Sequence, residues 1–323
     1  MRVLLLGGTG FVGRVISQRL NKARGIVTLV GARHALPGQS SAFVCVDATD
    51  ADSLLKVLTG VDVVVNCVVG PGHTIRRSAA AIVAAARMAD KHVKLIHMSS
   101  MAVYGSREGI LMDDDPVSDD GNWYGSAKIS AERILREYGD GSGSSTVLRI
   151  GCVYGPGSAL WVDRIGLLLR RGRLGDLAEM GDGWSNLVHV EDIAQAVELI
   201  ICADDNGART YNMSAPDSPR WNSYFRDFSL GIGRVPLKYK TQLAMTVESK
   251  LIAPPVKALE RLSAKGWLRP LAVQSIPPSL LRLWRQQIKL DSARIEGELG
   301  LTWTPYAEGL KDSVEYFMSK YGQ

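Results

Sequence analysis

The segment GNWYGSAK (121–128) sets Tyr124 and Lys128 four positions apart, and on a helix such a pair shares one face. An ammonium beside a phenol favours the phenolate and lowers the ordinary tyrosine pKa of about 10. The pair could then exchange a proton with a substrate oxygen. Upstream, VKLIHMSSMAVYG (93–105) reads as a strand whose carboxyl end carries Ser99 and Ser100. A serine there can hydrogen-bond the same oxygen. Taken singly, each residue has a plain explanation, because serines end strands and Tyr-x-x-x-Lys occurs on ordinary helices. Taken together they suggest a proton-transfer centre, with Ser100 orienting the substrate, Tyr124 as acid/base and Lys128 tuning it.

Such a centre needs a hydride carrier, and the N-terminal stretch GGTGFVG (7–13) suggests one. Gly7, Gly10 and Gly13 follow a short apolar run and open a helix, with Phe11 and Val12 in its first turn. Glycine permits the tight turn and lets the backbone approach a pyrophosphate that sits on the helix N-terminus. A glycine triplet alone is weak evidence, but here the strand before it and the helix after it supply the context. The second strand ends in GAR (31–33), where an acid would suit NAD and an arginine the 2′-phosphate of NADP. Arg33 therefore points to NADP, with NAD as the other candidate; alternatively it stacks on adenine or faces solvent. Asp47 could bind the adenine amino group or cap a helix near Ala51. Asn66 and His73 border the expected cleft after the fourth strand, where either could meet nicotinamide ribose or substrate.

The elements that must position these residues alternate. Near-continuous apolar runs at 2–7, 26–31, 42–46, 61–66, 93–98 and 145–150 suit parallel strands buried on both faces. Helical patterns lie near 11–22, 51–58, 74–90 and 124–138. This order predicts an α/β fold, a doubly wound (Rossmann) parallel sheet with right-handed crossovers. Two further strands are expected at 186–190 and 209–213. The dinucleotide-binding domain is then 1–155 plus 186–213. Segments 156–185 and 214–323 form a smaller substrate-binding lobe over the sheet's carboxyl edge. Within that lobe Leu251, Ile252, Trp267, Leu268, Leu280, Leu281 and Trp284 could line an apolar cavity, although core packing explains each of them better. LLRLWRQQIKL (280–290) suits a docked lid helix better than a membrane-surface helix.

The chain has 323 residues, 46% hydrophobic and 22% charged, with a formal charge of +5. That is an ordinary globular balance, with no dense basic stripe to suggest nucleic acid. A mild positive excess suits an anionic small molecule. Cys45, Cys67, Cys152 and Cys202 form no CxxC pair, so neither a metal site nor a disulfide framework is expected and a cytoplasmic location is. The apolar run at the N-terminus is too short for a signal peptide, and no apolar stretch is long enough to span a bilayer. His189 reads as a strand-end residue bonded to backbone, and Asp192 as a helix cap.

GGTGFVG, SSMAVYG, YGSAK, LRIGCVYGPG (148–157), NLVHVEDIAQA (186–196) and the closing stretch 290–317 resemble the extended short-chain dehydrogenase/reductase superfamily, and within it the NAD-dependent epimerase/dehydratase branch. The resemblance implies Ser100, Tyr124 and Lys128 as the catalytic trio and Gly7, Gly10 and Gly13 as the cofactor loop, with Lys128 also holding the nicotinamide ribose. It implies a small-molecule substrate and homodimerisation through paired helices of the kind carrying Tyr124. Two positions depart from the sugar-nucleotide pattern: Cys152 stands where many members have asparagine, and Ser185 where many have a diphosphate-binding arginine. Arg164, Arg170, Arg171 and Arg173 are the candidates to compensate. GDGWSNLVHVEDIA (181–194) is similar to reductase-like members that act on more apolar substrates. The resemblance therefore leaves three readings: hydride transfer at a secondary alcohol or ketone, a nucleotide-sugar 4-epimerase with retained NAD, and a non-catalytic NADP-binding regulator.

Overall fold

A computed structural model describes residues 1–34, 42–141, 143–203, 207–256 and 274–322. In chain order the strands are β1 (Arg2–Leu6), β2 (Val27–Ala32), β3 (Ala42–Cys45), β4 (Val63–Asn66), β5 (Lys94–Met98), β6 (Gly109–Leu111), β7 (Ser144–Ile150), β8 (Cys152–Tyr154), β9 (Leu187–His189), β10 (Gly207–Met213) and β11 (Ile288–Leu290). The helices are α1 (Phe11–Leu20), α2 (Ala51–Leu58), α3 (Gly72–Met88), α4 (Trp123–Gly139), α5 (Arg164–Arg170), α6 (Val190–Cys202), α7 (Trp221–Gly231), α8 (Gln242–Val247), α9 (Pro278–Arg285), α10 (Ala293–Leu299) and α11 (Tyr306–Tyr321).

Seven strands form one parallel sheet in the order β10-β7-β5-β4-β1-β2-β3. The apolar runs sit where burial on both faces requires them: β4, β5 and β7 are buried at every position. Strands are added in opposite directions on either side of the β1–β4 boundary, where the two strands pair in parallel from Val3–Val63 to Leu6–Asn66. A crevice opens at such a switch point beyond the strands' carboxyl ends. One apolar layer packs α1 and α6 on the sheet, and another packs α2, α3 and α4 on its other face.

Of the two later strands, β10 joins the main sheet beside β7, whereas β9 leaves it and pairs with β8. A second parallel pair joins β6 to β11. Three-residue strands such as these carry too little periodicity to be seen in sequence.

The third core is aromatic. Trp161 and Trp221 lie 4.9 Å apart, ring centre to ring centre, and Phe225 meets Trp284 edge-on at 5.2 Å. Leu280 and Trp284 are thus buried core residues, and α9 is docked through them. Leu251 and Ile252, by contrast, are exposed, because α8 and the turn after it leave that face uncovered among the described residues. Trp267 and Leu268 lie outside the described residues. Among those described, no helix is long and apolar enough to cross a membrane.

Trp221 is fully buried at the centre of the aromatic core. Trp221→Ala should lower the unfolding free energy by about 3–5 kcal/mol, measured as a fall in the denaturant midpoint at unchanged slope.

Candidate active site

β1 delivers the chain into Gly7, whose φ of +75° is open to glycine at little cost. A Cβ on Gly7 would stand 2.8 Å from the Cys67 carbonyl, and one on Gly13 would stand 2.4 Å from the Gly7 oxygen. The turn is therefore as tight as backbone permits. The Gly10 N–H donates to the Gly7 oxygen at 3.0 Å, and no side chain caps α1. The amides of its first turn, at Phe11, Val12 and Gly13, are thus left without a side-chain cap, an arrangement that together with the helix dipole suits an anion. A cavity of about 530 Å³ adjoins them, lined by Gly7, Gly10, Arg33, Asp47, Cys67 and His73, with Arg77 of α3 also reaching it.

Two expectations in this cleft need correction. Asp47 does not cap α2. Its Oδ1 accepts from the Thr49 N–H and hydroxyl at 2.8 Å each, and the cap is Asp50, which accepts from the Asp52 and Ser53 amides. The Thr49 bonds hold the Asp47 carboxyl below the usual carboxylate range, with Arg33 and Arg77 adding to the effect. Asn66 is buried and committed, its Oδ1 accepting from the Val68 N–H at 3.0 Å and its Nδ2 lying 3.1 Å from His97 Nδ1. It is placed to brace the β4–β5 edge rather than to meet a ligand.

Ser100 follows β5, and its hydroxyl accepts from the Ala102 N–H at 3.2 Å, starting a short 3-10 turn (101–104). Asn122 caps α4 by accepting from the Tyr124 N–H at 3.1 Å. The helix then places Tyr124 and Lys128 on the face turned toward β5. The Lys128 Nζ donates to the Met98 carbonyl at 2.5 Å and lies 5.8 Å from the centre of the Tyr124 ring. Ser100, Tyr124 and Lys128 thus converge.

The electrostatics differ from the simple expectation. Burial raises the Tyr124 phenol above its ordinary value, opposed by a hydrogen bond with Ser100. The larger shift falls on Lys128, which is 1% exposed. Burial pulls it down to about 8, opposed by the Cys67 sulfur and the Glu132 carboxylate. The Cys67 thiol is itself pushed up to about 12 by burial and stays neutral at pH 7, so Glu132 supplies the opposing charge. The phenol therefore rests protonated, ready to donate.

Outside this cluster, both His189 ring nitrogens lack hydrogen-bond partners among the described residues, and the ring packs edge-on against Tyr154 at 5.4 Å. The expected backbone bond is absent because the ring is held by aromatic packing. Asp192 lies inside the first turn of α6, with His189 at the cap position. Its Oδ1 accepts from Thr304 N–H at 3.0 Å and Thr304 hydroxyl at 2.6 Å, tying down the segment before α11. Ser185 is buried against Ser218 and the Pro219 carbonyl. Among the described residues no cluster of His, Cys, Asp and Glu is arranged to hold a metal.

A model of the NAD dependent epimerase/dehydratase family matches residues 3–214. The chain belongs to that family. It is 25% identical over 265 residues to Protein YeeZ of Escherichia coli (strain K12), covering 75% of this chain and 88% of that one. To the dTDP-6-deoxy-L-talose 4-dehydrogenase (NAD(P)(+)) of Kitasatospora kifunensis it is 32% identical over 177 residues, 48% of this chain and 54% of that one. Among solved structures, the dTDP-glucose 4,6-dehydratase of Bacillus anthracis in complex with NAD superposes with a TM-score of 0.76 at 16% identity, covering 100% of this chain and 98% of that one. That likeness concerns the fold.

Three residues of the site escape the motif reading of this family member. Glu132 stands one further turn along the face of Tyr124 and Lys128, a spacing that was open to notice. Arg149 interrupts an otherwise apolar strand run, also a signal. Arg77 reaches the cleft from mid-α3, and nothing in its neighbours marks it.

The Lys128 shift has a testable sign. Its folded pKa lies below the unfolded value, so below pH 8 the buried charge costs the folded state stability. That cost is relieved as pH rises from about 8 towards 10.5. Lys128→Met should be more stable than the parent protein at pH 7, and the difference should shrink steadily between pH 8 and 10.5 in paired denaturant titrations.

Proposed function

We propose that this protein is an NAD(P)-dependent oxidoreductase that transfers hydride at a secondary alcohol or its ketone. The observation that carries the reading is the convergence of Ser100, Tyr124 and Lys128 at the carboxyl edge of the sheet. In the ketone-to-alcohol direction Ser100 hydrogen-bonds the carbonyl oxygen, and the protonated Tyr124 phenol gives its proton to that oxygen as negative charge builds there. Lys128 then stabilises the phenolate left behind. The backbone turn at Gly7, Gly10 and Gly13, too close-packed for a Cβ at Gly7 and Gly13, fits a dinucleotide pyrophosphate, and the bound dinucleotide supplies the hydride. Arg33 favours NADP over NAD, because an exposed guanidinium at the cleft suits a 2′-phosphate.

Net redox is favoured over nucleotide-sugar epimerisation by the state of the arginines. Arg173 is held by the Gln274 carbonyl and Glu248. Arg170 bonds the Tyr321 carbonyl and stacks on Phe317. Arg164 bonds the Gln274 side chain at 3.2 Å, and Arg171 is not free either. With Ser185 buried as well, no arginine among these is spare for a diphosphate. A nucleotide-sugar substrate remains the second reading, because the talose 4-dehydrogenase relative is named for one. Residues 156–185 and 214–323 are assigned as the substrate lobe.

The test is an NADPH and NADH titration followed by a turnover screen of apolar ketones and UDP- and dTDP-sugars. Tyr124→Phe should lower turnover by about 10²–10⁴-fold with cofactor affinity retained. Full activity in that variant would remove Tyr124 from the reaction, and cofactor binding with no turnover on either substrate class would sink the reading in favour of a regulator. Arg33→Ala should weaken NADPH binding and spare NADH; tighter NADH binding by the parent protein reverses the assignment.

A further inference from the structure

The face of α4 that carries Tyr124 and Lys128 continues to Glu132, whose carboxylate is buried where three elements meet. Arg149 of β7 grips it with Nε at 3.2 Å and Nη2 at 3.0 Å, both on Oε2. Ser99, the residue before Ser100, donates its hydroxyl to Oε1. The remaining arm of Arg149 donates from Nη1 to the Tyr104 hydroxyl at 2.9 Å and the Asp113 carbonyl at 3.0 Å. Tyr104 ends the 3-10 turn that begins after Ser100, and its ring centre lies 5.0 Å from the guanidinium carbon. Its hydroxyl reaches Asn212 Oδ1 on β10 at 2.8 Å. One ion pair therefore holds the chain immediately before Ser100 and again at the end of the turn after it.

Stability alone does not account for this arrangement. Burying an ion pair costs desolvation that its attraction repays only with excellent geometry, and apolar replacements of the same volume are often as stable or more so. What the pair does uniquely is join the Ser100 turn to the helix bearing Tyr124 and Lys128.

We infer that Glu132 and Arg149 form a positioning unit for the proton-transfer centre, locking the Ser99–Tyr104 turn against α4 so that Ser100 meets the Tyr124 phenol. What the positioned groups accomplish rests on the function proposed above; the geometry does not. The groups that act on the Lys128 ammonium are Tyr124 and Glu132 from α4, the Met98 carbonyl and His97 from β5, and Cys67 beyond β4. Burial holds His97 well below its ordinary value, hence neutral, and Cys67 is a neutral thiol. Glu132, paired with Arg149 at 3.0 Å, is the carboxylate among them.

The experiment is an NMR titration of protein labelled with ¹³C at lysine Cε, the Lys128 resonance being assigned by its absence in Lys128→Met. The parent protein should titrate near 8. Glu132→Gln should move the midpoint downward, and so should Glu132→Gln/Arg149→Met, which leaves no unpaired guanidinium should the single variant fail to fold. Trp221→Ala, which loosens the protein elsewhere, should leave the midpoint in place. An unmoved midpoint in a folded Glu132 variant, or an equal movement in Trp221→Ala, overturns the inference. No turnover is needed for this readout, so a shifted midpoint with a fully active Tyr124→Phe variant would reject the proposed reaction and keep the positioning unit.

Discussion

The Lys128 ammonium is the group around which the site is built. Taking a charge out of water costs several kcal/mol even after relaxation, and the structure offsets that cost with the Met98 carbonyl and the Glu132 carboxylate. Both partners have to be brought to it. The Met98 carbonyl comes from the carboxyl end of β5, an interior strand that is followed directly by Ser99 and Ser100. Glu132 comes from the same helix, one turn on, and needs Arg149 of β7 to be tolerable itself. Accommodating one lysine thus commits α4, β5 and β7 to a single relative placement.

That placement explains why Ser100, Tyr124 and Lys128 share one edge of the sheet with the glycine turn. β1 and β4 are paired in register up to Leu6 and Asn66, so the Gly7 turn lies directly against the Cys67 carbonyl. The next strand over, β5, delivers Ser100. Cys67 is a neighbour both of the glycine turn and of Lys128, which makes it the physical link between the two halves of the site. Bulk at Gly7 or Gly13 would force backbone apart at this point.

The lobe beyond the sheet follows a different logic. Its core sets tryptophan, tyrosine and phenylalanine rings among leucines, and its short strand pairs fasten distant segments. β6 meets β11, and Asn186 reaches the Ile288 carbonyl and the Leu290 amide at 2.8 and 2.9 Å. Arg164, Arg170 and Arg173 take part in such fastening, bonding the Gln274 side chain, the Tyr321 carbonyl and the Gln274 carbonyl.

The sequence by itself determined what depends on local rules: the apolar runs of the six main strands, the glycine turn and its helix, and the spacing that puts Tyr124 and Lys128 on one face. Periodicity and backbone sterics act over a few residues, so these are visible without a fold. Only the tertiary structure decided that Asn66 serves His97 and Val68, that Asp192 ties down Thr304, and that β9 leaves the main sheet for β8. Each of these is a choice among partners distant in sequence. The sign of the Tyr124 shift belongs with them, because burial depends on what the rest of the chain stacks above the phenol, and here it outweighs the nearby ammonium. Glu132 and Arg149 fall between the two: both were in plain view, but their pairing across 17 residues required β7 to lie beside β5 beneath α4.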